Sequence, residues 1–534
     1  MKQTGKKQVN HLKRLRASLA ILFFVPILLY FVDFTSALPQ EVHTLLHLQI
    51  IPAVLSGAVG IIVLQFILVI VFGRIYCSAI CPAGIFQDII NRLFCIGKKK
   101  RKGAWRFSYH KPLNILRYLL LTVTVVTAVF GITTLVVWLD PYSNFGRVAT
   151  NLFRPAVMWG NNILADVLMR LENYSLYHVT IHTVTKAGLV SGIIAITVFV
   201  ALAVSRGRLF CNTLCPAGAL LSLVSRYSIF RISFDEEVCN NCGNCERSCK
   251  AEAIDSKNMK IDTSRCVTCF NCTSACTKKS LRYRFRPPFL KDRPSVADKA
   301  GTVKSGSRRS FFATGATIAA SLPVISTIAQ YSDLPDGDAV TAEDNIDYKN
   351  LPPVTPPGSV DLERFKDKCT GCHICVVRCP TQVLRPAGFQ YGFDYLLRPH
   401  CAFESSYCNY ECTVCGEVCP VHAIRRLDKE EKRTIQVGIA TFNISRCIVY
   451  TEGTDCGACS EHCPTQAVHM IPYEGTLTIP QVEAELCIGC GGCESICPVR
   501  PHRAIVVVAN NEHRQVAPPE EEEVKEYEID GFGF

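Results

Sequence analysis

A membrane α-helical bundle joined to small α+β cysteine modules is the fold class this sequence predicts, and three features predict it. Four long apolar runs are concentrated early in the chain, each long enough to cross a bilayer as a helix. Most of the thirty cysteines fall in Cys-x-x-Cys-x-x-Cys-x-x-x-Cys runs, a spacing that belongs to iron–sulfur clusters rather than to a disulfide framework. In mid-chain, Ser307-Arg308-Arg309-Ser310-Phe311-Phe312 leads into an apolar segment ending at Ala329. Paired arginines in that context read as a twin-arginine export signal, which takes folded, cofactor-loaded domains across a membrane. The rival reading is a fifth hydrophobic helix with a basic flank. Both put the two halves of the chain on opposite sides.

At 534 residues the chain predicts several domains. It is 49% hydrophobic, with a mean hydropathy of +0.19, which is rich for a soluble protein. The net charge of +11 sits mostly beside the apolar runs, so it is a topology signal, and no nucleic acid is expected as a partner.

In order, residues 1–16 form a basic cytoplasmic arm and 17–236 a four-helix membrane domain. The first apolar run, 17–34, has no small-residue cleavage site after it, and a second, 50–72, follows closely. An uncleaved hairpin is therefore expected, not a secretory signal. The basic stretch 98–102 after the second run places it and the N-terminus in the cytoplasm. Run 115–139 then goes out and run 187–204 returns.

The halves of this domain repeat. Gly73-Arg74-Ile75-Tyr76-Cys77 and Cys81-Pro82 follow the second run; Gly207-Arg208-Leu209-Phe210-Cys211 and Cys215-Pro216 follow the fourth. Cysteines four apart share one side of a helix, so Cys77 with Cys81, and Cys211 with Cys215, each present two thiols on the cytoplasmic face. Four thiolates are the ligand number of one cluster or one tetrahedral metal. A redox-active dithiol, or small residues merely packing at a helix end, are the competing readings. Cys95 has no repeat partner and reads as an ordinary thiol.

Residues 237–285 read as a cytoplasmic two-cluster module. Crossed ligation, in which the fourth cysteine of one run serves the other cluster, assigns Cys239, Cys242, Cys245 and Cys276 to one cube. It assigns Cys249, Cys266, Cys269 and Cys272 to the other. Zinc is the rival metal. Lys250 and Thr277 stand where proline usually follows the fourth cysteine, which leaves the local turn open.

A basic linker (286–307), the export-like or anchor segment (308–330) and a Pro-rich spacer (331–362) lead to an outer domain, 363–508. The spacer is expected to hold that domain off the membrane. The domain carries four motifs: Cys369, Cys372, Cys375, Cys379; Cys408, Cys412, Cys415, Cys419; Cys447, Cys456, Cys459, Cys463; and Cys487, Cys490, Cys493, Cys497. Four clusters need sixteen of the seventeen cysteines here. The compact spacing of Cys408 and Cys412 makes Cys401 the spare, against a rival in which Cys401 is the ligand. Short runs such as 505–508 read as strands, and 509–534 as an acidic tail.

With these motifs in place, residues 1 to about 285 resemble the NapH/MauN type of membrane ferredoxin. Residues 308 to about 508 resemble the exported four-cluster NapG-type ferredoxin, so the chain looks like a fusion of two accessory proteins of periplasmic nitrate reduction. The resemblance implies a multi-pass protein of the bacterial cytoplasmic membrane with its C-terminal domain on the periplasmic side. It further implies about six [4Fe–4S] clusters, oxidation of a quinol, and electron delivery to an extracytoplasmic reductase or cytochrome. It also implies that the first and fourth outer motifs exchange their last cysteines, as do the second and third. A different function class, electron supply for maturation or regulation of another metalloenzyme, stays open. No catalytic site for a terminal substrate is recognisable, so any enzymatic activity would be quinol dehydrogenation.

The repeat also contains histidines. His43 and His47 precede the first cysteine pair, and His178 and His182 precede the second. Imidazoles suit the protons that quinol oxidation releases, so the four form a candidate quinol site near the outer surface, with Asp33 and Asp140 to orient them. Ligation of a b-type haem and ordinary interfacial packing are the alternatives.

Overall fold

The structure is a computed structural model that describes residues 11–97, 107–181, 185–286 and 351–517, without the side chains of 40 and 95–97. His182, Arg308, Arg309 and the stretch 520–530 lie outside the described residues.

Helix α1 (His11–Val32) is followed by α2 (Ile50–Ser56) and α3 (Val59–Phe72), then by α4 (Pro82–Gly97) after the first cysteine pair. Next come α5 (Asn114–Val129), α6 (Thr134–Leu139), α7 (Pro141–Val148), α8 (Arg154–Arg170), α9 (Lys186–Arg206) and α10 (Pro216–Ser225). Only α1 and α9 among the described helices are long and apolar enough to cross a membrane unbroken.

The other two expected spans are interrupted. Run 50–72 breaks at Gly57 (φ 72°) and run 115–139 at Gly131 (φ 79°), left-handed positions that end a helix without a Cβ penalty. Hydropathy registers no change there, because the residues on both sides remain apolar. Asp140 caps α7 through the amides of Tyr142 and Ser143, and Pro141 occupies its first turn.

The helical part has an aromatic interior. Ring contacts run from Phe210 through Phe199 (5.0 Å), Phe86 (5.9 Å) and Phe145 (5.8 Å) to Phe31 (6.2 Å) and Tyr142 (6.0 Å). Helices α4, α7 and α9 pack together around this row.

A cysteine module sits at each end of α1. Near its start, Lys13 donates to Ser274 and Arg16 to Asp88; just past its other end, Asp33 pairs with Arg378 at 2.9 Å, both 5% exposed. Twenty-two residues of helix separate the two ends, about 33 Å at 1.5 Å per residue. In the first module β1 (Phe230–Phe234) pairs antiparallel with β4 (Leu281–Phe285), enclosing the hairpin β2 (Ile254–Asp255) and β3 (Lys260–Ile261).

In the second module β5 (Leu384–Pro386) pairs with β6 (Pro399–Cys401) and β8 (Val468–Pro472) with β9 (Thr478–Val482). Strand β7 (Ile435–Phe442) pairs with β10 (Ile505–Gln515). Strand β10 thus carries the ordered fold past the expected boundary at 508, pairing Arg514 with Gln436 beyond a bulge. The Pro-rich segment also departs from expectation. Residues 353–359 are buried within the module, where Val354 accepts from the Cys401 amide and Gly358 from that of Arg425. The module rests directly on the helices: Arg398 reaches Thr133 at 2.7 Å and Asn151 meets His373 at 3.1 Å.

Candidate cluster sites

All six Cys runs share a local design. The third cysteine of each lies on a short helix: Asn244–Arg247, Asn271–Ala275, Ile374–Arg378, Val414–Glu417, Ala458–Glu461 and Gly492–Ile496. In the four runs that begin Cys-x-x-Cys, the residue after the second cysteine is left-handed: Gly243, Phe270, His373 and Gly491. The two runs with other spacings have Thr413 (φ −113°) and Gly457 (φ −120°) there instead. Three residues after the fourth cysteine, Glu252, Lys279, Gln382, His422 and Gln466 are again left-handed. The turn after Cys249 and Cys276 therefore forms without proline.

Four cavities show which thiols meet. Cys249, Cys266, Cys269 and Cys272 line one, the set expected from crossed ligation. In the second module Cys369, Cys372, Cys375 and Cys419 line another, and Cys379, Cys408, Cys412 and Cys415 a third. Cys463, Cys487, Cys490 and Cys493 line the fourth. Cys447, Cys456, Cys459 and Cys497 share one core, and Cys245 has Cys276 and Cys239 as electrostatic neighbours.

The exchange of last cysteines in the second module is thus first with second and third with fourth, not the first-with-fourth and second-with-third pattern that the family resemblance implies. The reason is local packing. The short helices of adjacent runs contact each other in all three pairs, so neighbours in sequence close around each other as in a two-cluster unit. Cys408 lines its cavity. Cys401 is 5% exposed in β6, beside that set but not among the lining residues.

The cavities fit the group their spacing predicts: four thiols, a mostly apolar wall, and backbone amides aimed at sulfur, as from Ala253 to Cys249 (3.5 Å) and Ala440 to Cys487 (3.4 Å). Burial pushes the Cys249 and Cys369 thiols up to about 11. The thiolates these sites offer therefore require a bound cationic centre, and loading releases protons. Among the described residues no three side chains converge on a single ion.

The helical-domain cysteines form a further group. Cys77, Cys81, Cys211 and Cys215 are 2–4% exposed in a common core. The repeats reach across each other: Arg74 donates to the carbonyl of Cys211 (3.1 Å) and Arg208 to that of Cys77. Gly84 and Gly218 hold equivalent places, where a Cβ would collide with the Cys77 and Cys211 carbonyls respectively.

Of the four candidate histidines, His43, His47 and His178 are described, and they lie in two different settings. His43 and His47 are joined by His422, with ring centroids 5.6 Å and 5.5 Å apart, and Arg426 lies 3.1 Å from His43. His178 instead meets Asp166 at 2.9 Å on the exposed surface. Burial first, then His422, His43 and Arg426, push His47 down to about 4. Asp33 pairs with Arg378 and Asp140 caps the α7 amides. Sequence reading missed His422 because it belongs to another module; its position three residues after Cys419 was the available signal.

Comparison with known proteins agrees with the sites. Segments 50–103 and 188–234 match a 4Fe-4S binding domain, 231–277 and 453–501 match 4Fe-4S dicluster domains, and 363–385 matches a 4Fe-4S binding domain. The chain carries 4Fe-4S ferredoxin domains. A protein of Methanocaldococcus jannaschii, MJ0749, is 22% identical over 52% of this chain and 88% of its own length. The ferredoxin-type protein NapH of Escherichia coli is 26% identical over 42% of this chain and 65% of itself. The methylamine utilization ferredoxin-type protein MauN of Paracoccus denitrificans is 26% identical over 41% and 64%. The chain thus spans a little under two thirds of NapH and MauN. No solved structure matches it.

Proposed function

We propose that this chain is a membrane-bound polyferredoxin that takes electrons from a quinol and delivers them to an extracytoplasmic reductase. The observation that carries the proposal is the placement of three paired-run units, one at one end of α1 and two at the other. The six sets of four cysteines are the ligands in this reading. When bound, the cubes supply one-electron transfer. The chain's part is to fix the thiolates, exclude water with apolar walls, and hold both modules against one helical domain. The NapH/MauN likeness supports the membrane half. The NapG-like reading of the other half rests on its motifs and on the segment at Arg308 and Arg309. The two unbroken apolar helices support a membrane protein, with the interrupted runs completing the bundle.

The quinol site is assigned to His43, His47 and His422 at the end of α1 that carries Asp33. His47, neutral at pH 7, is a proton acceptor beside the loop that follows Cys419. His178, paired with Asp166 on the exposed surface, is left out of this assignment. With protein in liposomes, His47→Leu should abolish menaquinol-driven bleaching of the iron–sulfur absorbance and leave bleaching by dithionite intact. Normal menaquinol-driven bleaching in both His47→Leu and His422→Leu would remove this cluster from the mechanism.

A further inference from the structure

We propose that Cys77, Cys81, Cys211 and Cys215 form one shared site that binds a further iron–sulfur cluster, ligated half by each repeat. This rests on the polyferredoxin reading and adds to it a site outside both cysteine modules. Each matched 4Fe-4S segment of the helical domain brings only one Cys-x-x-x-Cys pair, with Cys95 the sole other cysteine in either. Two ligands do not hold a cube, and the structure supplies the missing two from the other repeat. Cys81 has Cys211 and Cys77 as electrostatic neighbours, and Cys215 has Cys211, Cys81 and Cys77.

The surroundings point to an anionic guest. Arg74, Arg117 and Arg208 are among the largest fully buried side chains. Arg208 has a carboxylate partner in Asp88 (2.8 Å). Arg74 bonds Asn212, Ser264, the Cys211 carbonyl and, at 3.7 Å, the Cys77 sulfur. Arg117 bonds the carbonyls of Gly218 and Ser264. Among the described residues no carboxylate forms an ion pair with Arg74 or Arg117, Asp262 acting on Arg117 only through longer-range attraction, and Arg74 Nε and Arg117 Nε and Nη1 lack hydrogen-bond partners. Buried cations without counter-charge are costly. Four thiolates around an iron–sulfur core carry a net negative charge that offsets both.

The sulfurs themselves are addressed by donors from both repeats. Gln87 Nε2 lies 3.2 Å from Cys211 and the Gly218 amide 3.2 Å from Cys215. Helices α4 and α10 begin at Pro82 and Pro216, directly after Cys81 and Cys215, so the positive ends of both helix dipoles face the thiols. Disulfide or dithiol chemistry explains neither the guanidiniums nor the reciprocal bonds.

The test is a difference measurement on the purified full chain. Cys81→Ser and Cys215→Ser should each lose about four iron and four sulfide, and the double variant should lose no more than either single one. Losses that add in the double variant, unchanged iron in the singles, or one zinc lost in place of iron would each overturn the shared cluster. The six-cluster reading is judged separately, from the iron that remains in the double variant. Should the serine variants fail to fold, Gln87→Leu keeps all four cysteines. It should leave iron content unchanged and shift the midpoint potential of one EPR signal; unchanged potentials for every signal would count against the site.

Discussion

Single residues decide several of these assignments. Cys408→Ser should cost one cluster of the second module and Cys401→Ser none, as read by iron content; the reverse would select the wide spacing. Gly84→Ala should abolish accumulation of folded protein, because its Cβ would meet the Cys77 backbone and a helix-bound carbonyl has no free rotamer to yield. His513 offers a pH test. Burial pushes its imidazole down to about 4 while Asp361 opposes the shift, and Thr355 lies 2.7 Å from its Nε2. The folded state binds this proton more weakly than the unfolded chain, whose value is about 6.5. Its contribution is therefore complete above that value and lost as pH falls toward 4. Denaturant unfolding should show the wild type losing more stability between pH 7 and 5 than His513→Gln. Equal losses would contradict the assignment.

At the scale of elements, the cysteines that line the shared cavities were legible in the sequence because cysteine spacing reports directly on the loop and short helix that present them. The breaks in the helices were not. Nothing in the hydropathy of 50–72 or 115–139 marks Gly57 or Gly131, and the second break lies beside Thr133, where a distant module docks. The junction of α4 with the first module depends on Asp88. Burial raises its pKa, but Arg208 and Lys250 more than reverse this, leaving the carboxyl far below its usual range. Asp88→Asn leaves those cations buried without their counter-charge and should cost about 3–5 kcal/mol, measurable in denaturant titrations. Phe86, 8% exposed at the centre of the aromatic row, should cost a similar 3–5 kcal/mol or so on replacement by alanine.

For the whole molecule, the sequence foretold two cysteine-rich ends but not how they meet the helices. It led to a spacer that holds the second module away, whereas residues 353–359 are packed into that module and Arg378 is buried against Asp33 and over the Tyr30 ring. Contacts between parts so far apart in sequence leave no periodic trace, which is also why His422 went unseen. The export reading of Arg308 and Arg309 is tested by changing both to lysine. External protease should then no longer reach the second module in intact cells, and continued digestion would refute the reading. The most direct test of the account as a whole is Mössbauer spectroscopy of ⁵⁷Fe-labelled, anaerobically purified full chain. It predicts iron in cubane-type clusters at no fewer than about 24 atoms per chain, the content of six cubes. Iron sufficient for only two clusters, or stoichiometric zinc in its place, would contradict it.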